Sequence, residues 1–171
     1  YYLAQELSRQ GCDVTVFTAR DTKQLEDVGF SIKCLGELNP NPLFYWLSEK
    51  RFDLSTSRAL SKIASDFDVF HGQDFHSTVP LCLDNALLEK SVATVSNAWP
   101  FCGHGYRFLR SDLGPCKACS PKNLSDCLMI ERKGFLLRPF FKHFYKKNAE
   151  FRFEEFRKLN KVVCVSKFFS D

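Results

Sequence analysis

His71 and Asp74 stand three residues apart in one tight turn, directly after the short apolar segment Asp68–His71. That segment reads as a β-strand, with Val69 and Phe70 as its apolar pair. In open α/β sheets ligands bind in the crevice beyond the carboxyl ends of the strands. An imidazole and a carboxylate placed there can donate to and accept from the hydroxyls of a polar ligand. The alternative for Asp74 is a local task. It can cap the helix that follows, with Phe75 and His76 in its first turn, and capping does not exclude ligand binding.

A second set of reactive side chains is Cys102, Cys116, Cys119 and Cys127, with His104 between the first two. A pair of cysteines two residues apart plus two further cysteines can complete a tetrahedral zinc site. The spacing differs from a ribbon with two such pairs, so disulfides and free thiols stay open, as does an iron–sulfur cluster. Residues 96–127 are rich in Gly, Pro, Ser and Cys and show no periodicity, which marks a Cys-rich loop. A loop of that length has little core of its own, and a metal would order it. The other four cysteines, Cys12, Cys34, Cys82 and Cys164, sit singly in apolar or strand-like surroundings and read as free thiols.

Charge is uneven. Residues 132–161 carry ten Lys and Arg against three Glu, a local +7 in a chain whose formal net charge is +4. The segment Pro139–Asn160 reads as a long helix with Tyr145, Ala149, Phe153 and Phe156 on one face. Its Lys142, Lys146, Lys147, Arg152, Arg157 and Lys158 either point to solvent or dock on anionic lipid. No nucleic-acid-binding motif accompanies them.

These residues need a scaffold, and the pattern supplies one. Tyr2, Leu3 and Leu7 share a helical face, Gly11 stops that helix, and Val14, Val16 and Phe17 follow as a strand. Val28–Leu35 is a second strand, and Leu43 to Phe67 is helical in two pieces. After the strand Asp68–His71 come a helix over Thr78–Leu88 and a β-branched strand at Ser91–Val95. The basic helix and a final strand, Val162–Val165, complete the series. Short apolar strands alternating with helices predict an α/β fold, a Rossmann-like parallel sheet with helices on both faces. Parallel strands joined by one right-handed crossover bring their carboxyl ends to the same edge, so His71, Asp74, Asn97 and Trp99 are expected to share one crevice. With 171 residues, 44% hydrophobic, the chain has the size of one ordinary domain. No apolar run reaches the ~20 residues that span a bilayer, and no signal peptide is legible.

Four segments, in order, resemble the acceptor-side domain of family-4 glycosyltransferases of GT-B type. Tyr2-Leu3-Ala4-Gln5-Glu6-Leu7 through Gly11-Cys12-Asp13-Val14-Thr15-Val16 is similar to that family's first helix and second strand. Asp68-Val69-Phe70-His71-Gly72-Gln73-Asp74-Phe75-His76-Ser77 resembles its strand end "DVVHxHDWHS". Thr94-Val95-Ser96-Asn97-Ala98-Trp99-Pro100-Phe101-Cys102 is similar to "TVHDxWPLC". Lys161 to Asp171 looks like the strand and turn that precede the domain crossover.

The resemblance implies transfer of a sugar from a nucleotide-sugar donor to an acceptor, with retention. It implies acceptor-binding roles for His71, Asp74, His76, Asn97, Trp99 and Ser166. Ser96 and Asn97 occupy the positions of the usual His and Asp, so an ionisable pair is replaced by a hydroxyl and an amide that cannot exchange a proton near neutral pH. The catalytic residues are therefore left unassigned. Residues 1–171 are expected to be one such domain, cut at both ends, lacking the C-terminal donor domain and inactive alone. Expected partners are a sugar or lipid-linked acceptor, the donor domain and an anionic membrane surface at 139–160. The expected location is the cytoplasm or the inner face of a membrane. A non-catalytic, metal-ordered α/β binding module is the competing reading. A nicotinamide enzyme is disfavoured by the lack of a GxGxxG motif.

Overall fold

The computed structural model describes residues 2–18, 29–35, 45–97, 100 and 138–165. It is an α/β structure whose strands pair in parallel in two sheets. The chain divides into two compact units, Tyr1–Ala59 and Leu60–Asp171, each described here by itself.

In the first unit, helix α1 (Tyr2–Arg9) leads to strand β1 (Thr15–Thr18), which pairs in parallel with β2 (Ser31–Cys34). α1 stops because Gly11 adopts φ 89°, a left-handed value that favours glycine. The Gly11 amide then donates to the Ser8 carbonyl at 3.0 Å and the Cys12 amide to the Leu7 carbonyl at 3.0 Å. These are the two bonds of a Schellman close, which satisfies carbonyls that the helix end would otherwise leave open. The Ser8 hydroxyl donates to the Gly29 carbonyl, tying α1 to the start of β2. The stretch expected to be helical in two pieces is helix α2 (Tyr45–Ser61) followed by a single 3-10 turn at Ala64–Asp66.

The second unit holds a three-stranded parallel sheet in the order β3 (Phe70–Gly72), β4 (Ser91–Val95), β5 (Val162–Cys164). Phe70, Ala93 and Val95 are buried, and Val79, Leu81, Cys82 and Leu87 from the crossover pack with Leu60 and Ala64 in the same core. The crossover, expected as one helix over Thr78–Leu88, is two: α3 (Phe75–Cys82) and α4 (Asn85–Leu88). The division lies at Asp84, which has extended backbone and accepts from the Ala86 amide at 2.9 Å and the Leu87 amide at 3.3 Å. A short carboxylate used in this way starts a new helix rather than continuing the old one.

Helix α5 (Arg138–Phe156) packs on α3. The expected inward stripe is rotated by one residue: Phe153 is 39% exposed, whereas Arg152 and Glu155 are each only 8% exposed. The Arg152 guanidinium lies 3.8 Å over the Phe75 ring, and Glu155 is ion-paired to Lys158 at 2.6 Å. Stacking and pairing let charged groups occupy an inward face that sequence periodicity gives to phenylalanine. Buried beside this pair, the Cys82 thiol is pushed up to about 12, by desolvation first and the Glu155 carboxylate second.

Gly72 ends β3 where the backbone passes closest to α3. A Cβ there would lie 2.3 Å from Thr78 Oγ1 and 2.9 Å from Thr78 Cα. The second contact is to backbone and cannot be relieved by a rotamer change. Gly72→Ala is expected to destabilise the chain by about 1–3 kcal/mol, the range for overpacking a closed site. Urea unfolding measures it; an unchanged midpoint would show that α3 moves away freely.

Candidate acceptor-binding edge

β3 and β4 are hydrogen-bonded parallel neighbours, with Phe70 opposite Ser91, His71 opposite Val92 and Gly72 opposite Ala93. Their carboxyl ends therefore open on one edge of the sheet. The His71–Gly72–Gln73–Asp74 turn leaves one strand there and Ser96–Asn97 leaves the other. The buried-exposed-buried pattern of β3 puts Phe70 and Gly72 on the covered face and His71 on the open one.

His71 Nε2 lies 2.7 Å from Thr94 Oγ1, two residues beyond its partner in register, so the two side chains share a face. Either tautomer satisfies this bond, because a hydroxyl both donates and accepts. Nδ1 makes no hydrogen bond among the described residues. Burial of part of the ring lowers its pKa from 6.5, so the imidazole is neutral at physiological pH.

Asp74 caps α3. Its Oδ1 accepts from the Ser77 amide at 2.8 Å and from the Ser77 hydroxyl at 2.9 Å. Ser77 Oγ in turn accepts from the Asp74 amide at 3.0 Å and the Gln73 amide at 2.8 Å, closing a capping box. The local role is thus realised, and Oδ2 makes no hydrogen bond or ion pair among the described residues.

His76 has a different setting. Its ring centroid is 3.8 Å from that of Phe75, which in turn carries Arg152. Desolvation holds its pKa down at about 4, with the Asp74 carboxylate opposing and the Arg152 guanidinium reinforcing the shift. This is a ring built into the α3–α5 packing. Ser96 is exposed and Asn97 half-buried just past β4. Trp99 and Ser166 lie outside the described residues, as do Cys102, Cys116, Cys119 and Cys127. Among the described residues no three His, Cys, Asp or Glu side chains cluster to hold a metal.

Thr94 at this edge and Arg152 in the α3–α5 packing were not singled out by sequence as site-forming. Thr94 reads as an ordinary β-branched strand residue until the register sets it diagonally across from His71. Arg152 reads as one member of a basic helix, and its burial removes it from any lipid-facing set. Of the others, Lys146 and Lys147 pair with Glu150 at 3.8 and 3.5 Å, Arg157 with Glu154 at 3.6 Å and Lys158 with Glu155. Four of these cations thus contact three carboxylates, and residues 132–161 keep their local excess of positive charge. No helix among the described residues is long and apolar enough to cross a membrane.

No curated protein and no solved structure matches the chain. The family model described as Glycosyltransferase Family 4 matches residues 1–171, the whole sequence. With parallel strands, helical crossovers and a polar edge at the strand ends, the chain belongs to glycosyltransferase family 4, in its N-terminal domain.

Proposed function

We propose that residues 1–171 bind the acceptor in a transferase that moves a sugar from a nucleotide-sugar donor, with retention. The observation that carries this reading is the shared edge of β3 and β4, where His71 is held by Thr94 and Asp74 has one carboxylate oxygen without a partner among the described residues. Such an edge can orient a hydroxyl for transfer; stabilisation of a departing diphosphate needs cations or amide donors aimed at it. In this reading a donor-binding domain beyond residues 1–171 supplies them. The chain alone is then expected to turn over no nucleotide sugar, while protein that also carries the donor domain gives a product of unchanged anomeric configuration by NMR. Turnover by residues 1–171 alone would refute the division of labour.

The cysteine loop is proposed to hold structural zinc on Cys102, Cys116, Cys119 and Cys127. Elemental analysis of chain purified without chelator should find about one zinc per chain. Four freely titratable loop thiols with neither zinc nor iron would rule it out. Contact with an anionic lipid surface through 139–160 is proposed as well, on the excess of Lys and Arg over Glu in that stretch.

A further inference from the structure

The charge at this edge has a consequence for what it can accept. The start of an eight-residue helix, α3, is where an anion would ordinarily be held by free amides. Here the chain's own carboxylate is already seated there: Asp74 Oδ1 takes the Ser77 amide, and Ser77 Oγ takes the amides of Asp74 and Gln73. Among the described residues the remaining oxygen of that carboxylate makes no hydrogen bond or ion pair, and its charge would repel a phosphate. His71, exposed three residues earlier, offers one ring nitrogen and is neutral. No described cation is in contact with His71, Thr94 or Asp74.

Resting on the acceptor-side reading above, we infer that the His71–Thr94–Asp74 edge binds an uncharged polyhydroxylated group, such as a neutral sugar ring, and excludes phosphorylated or carboxylated acceptors. Asp74 Oδ2 accepts from one hydroxyl and His71 Nδ1 bonds another. Thr94 is the positioning residue, since its bond to Nε2 fixes the ring that presents Nδ1.

The test is NMR titration of the 15N-labelled chain. The probes are methyl α-D-glucopyranoside and inorganic phosphate, each raised to tens of millimolar against a sodium chloride control of equal ionic strength. The glycoside is expected to shift the His71 ring and the Thr94 and Asp74 amides saturably, and phosphate to leave all three unmoved. Thr94→Val should weaken the glycoside response roughly three- to tenfold, the scale of one lost neutral hydrogen bond, while Thr94→Ser retains it. Equal binding by Thr94→Val with the fold intact would remove Thr94 from its positioning role. Saturable shifts with phosphate would overturn the neutral-ligand inference but leave a ligand site in place. Silence with both probes would overturn it together with the acceptor-side reading.

Discussion

Taking the chain from about pH 7 to about pH 5 is expected to cost roughly 2 kcal/mol of stability through His76. Burial beside Phe75 and the nearby Arg152 guanidinium hold its folded pKa near 4, against 6.5 when unfolded. Between those values the unfolded chain binds the proton and the folded chain does not. The contribution is therefore complete above 6.5, declines as the pH falls toward 4, and is flat below that. Each pH step in the window costs about 1.4 kcal/mol. His71, whose pKa is also lowered, adds to the loss in the same direction. His76→Phe, which keeps an aromatic ring on Phe75 and cannot titrate, should flatten most of the dependence in urea unfolding at several pH values. The same slope in the variant would place the titration elsewhere.

Lys90→Met should be the most damaging single change outside the edge itself. Lys90 Nζ donates to the carbonyls of Ala64 and Phe67, each at 2.9 Å. These close the 3-10 turn and the approach to β3, while the Phe70 amide donates to the Lys90 carbonyl at 2.9 Å. One residue thus ties the entry to β3 to the start of β4. Removing the ammonium loses two charge-assisted bonds and strands two partly covered carbonyls, a loss of about 2–4 kcal/mol. Lys62→Met, at an exposed position with no hydrogen bond among the described residues, is expected to stay within about 0.5 kcal/mol. Comparable losses in the two variants would mean that the Lys90 bonds carry no net stability.

The strand ends were legible from sequence because apolar runs of a few residues bounded by Gly, Asp and Ser have few other uses. Asp68–His71 and Ser91–Val95 fall within two residues of β3 and β4. Element interiors were harder. The Asp84 cap divides a segment that hydropathy alone joins, because Leu83 and Leu87 keep the apolar pattern running across it. Near the C-terminal end of α5, Arg152 is buried and Phe153 exposed, an order that periodicity does not give because it scores phenylalanine above arginine. A guanidinium stacked on Phe75 reverses that order. Thr94 was invisible for a related reason: its importance depends on the register between β3 and β4, which no local pattern encodes. His76 belongs with the edge by its place in the turn, and its ring packs at a tilt against Phe75.

The acceptor assignment is tested most directly by steady-state kinetics of protein that also carries the proposed donor domain, comparing wild type with His71→Ala and Asp74→Asn. Asparagine caps a helix about as well as aspartate, so the second variant removes charge and leaves α3 in place. The account predicts an acceptor KM raised roughly tenfold, the scale of one lost substrate hydrogen bond, with the donor KM unchanged. A donor KM that rises while the acceptor KM holds would contradict it.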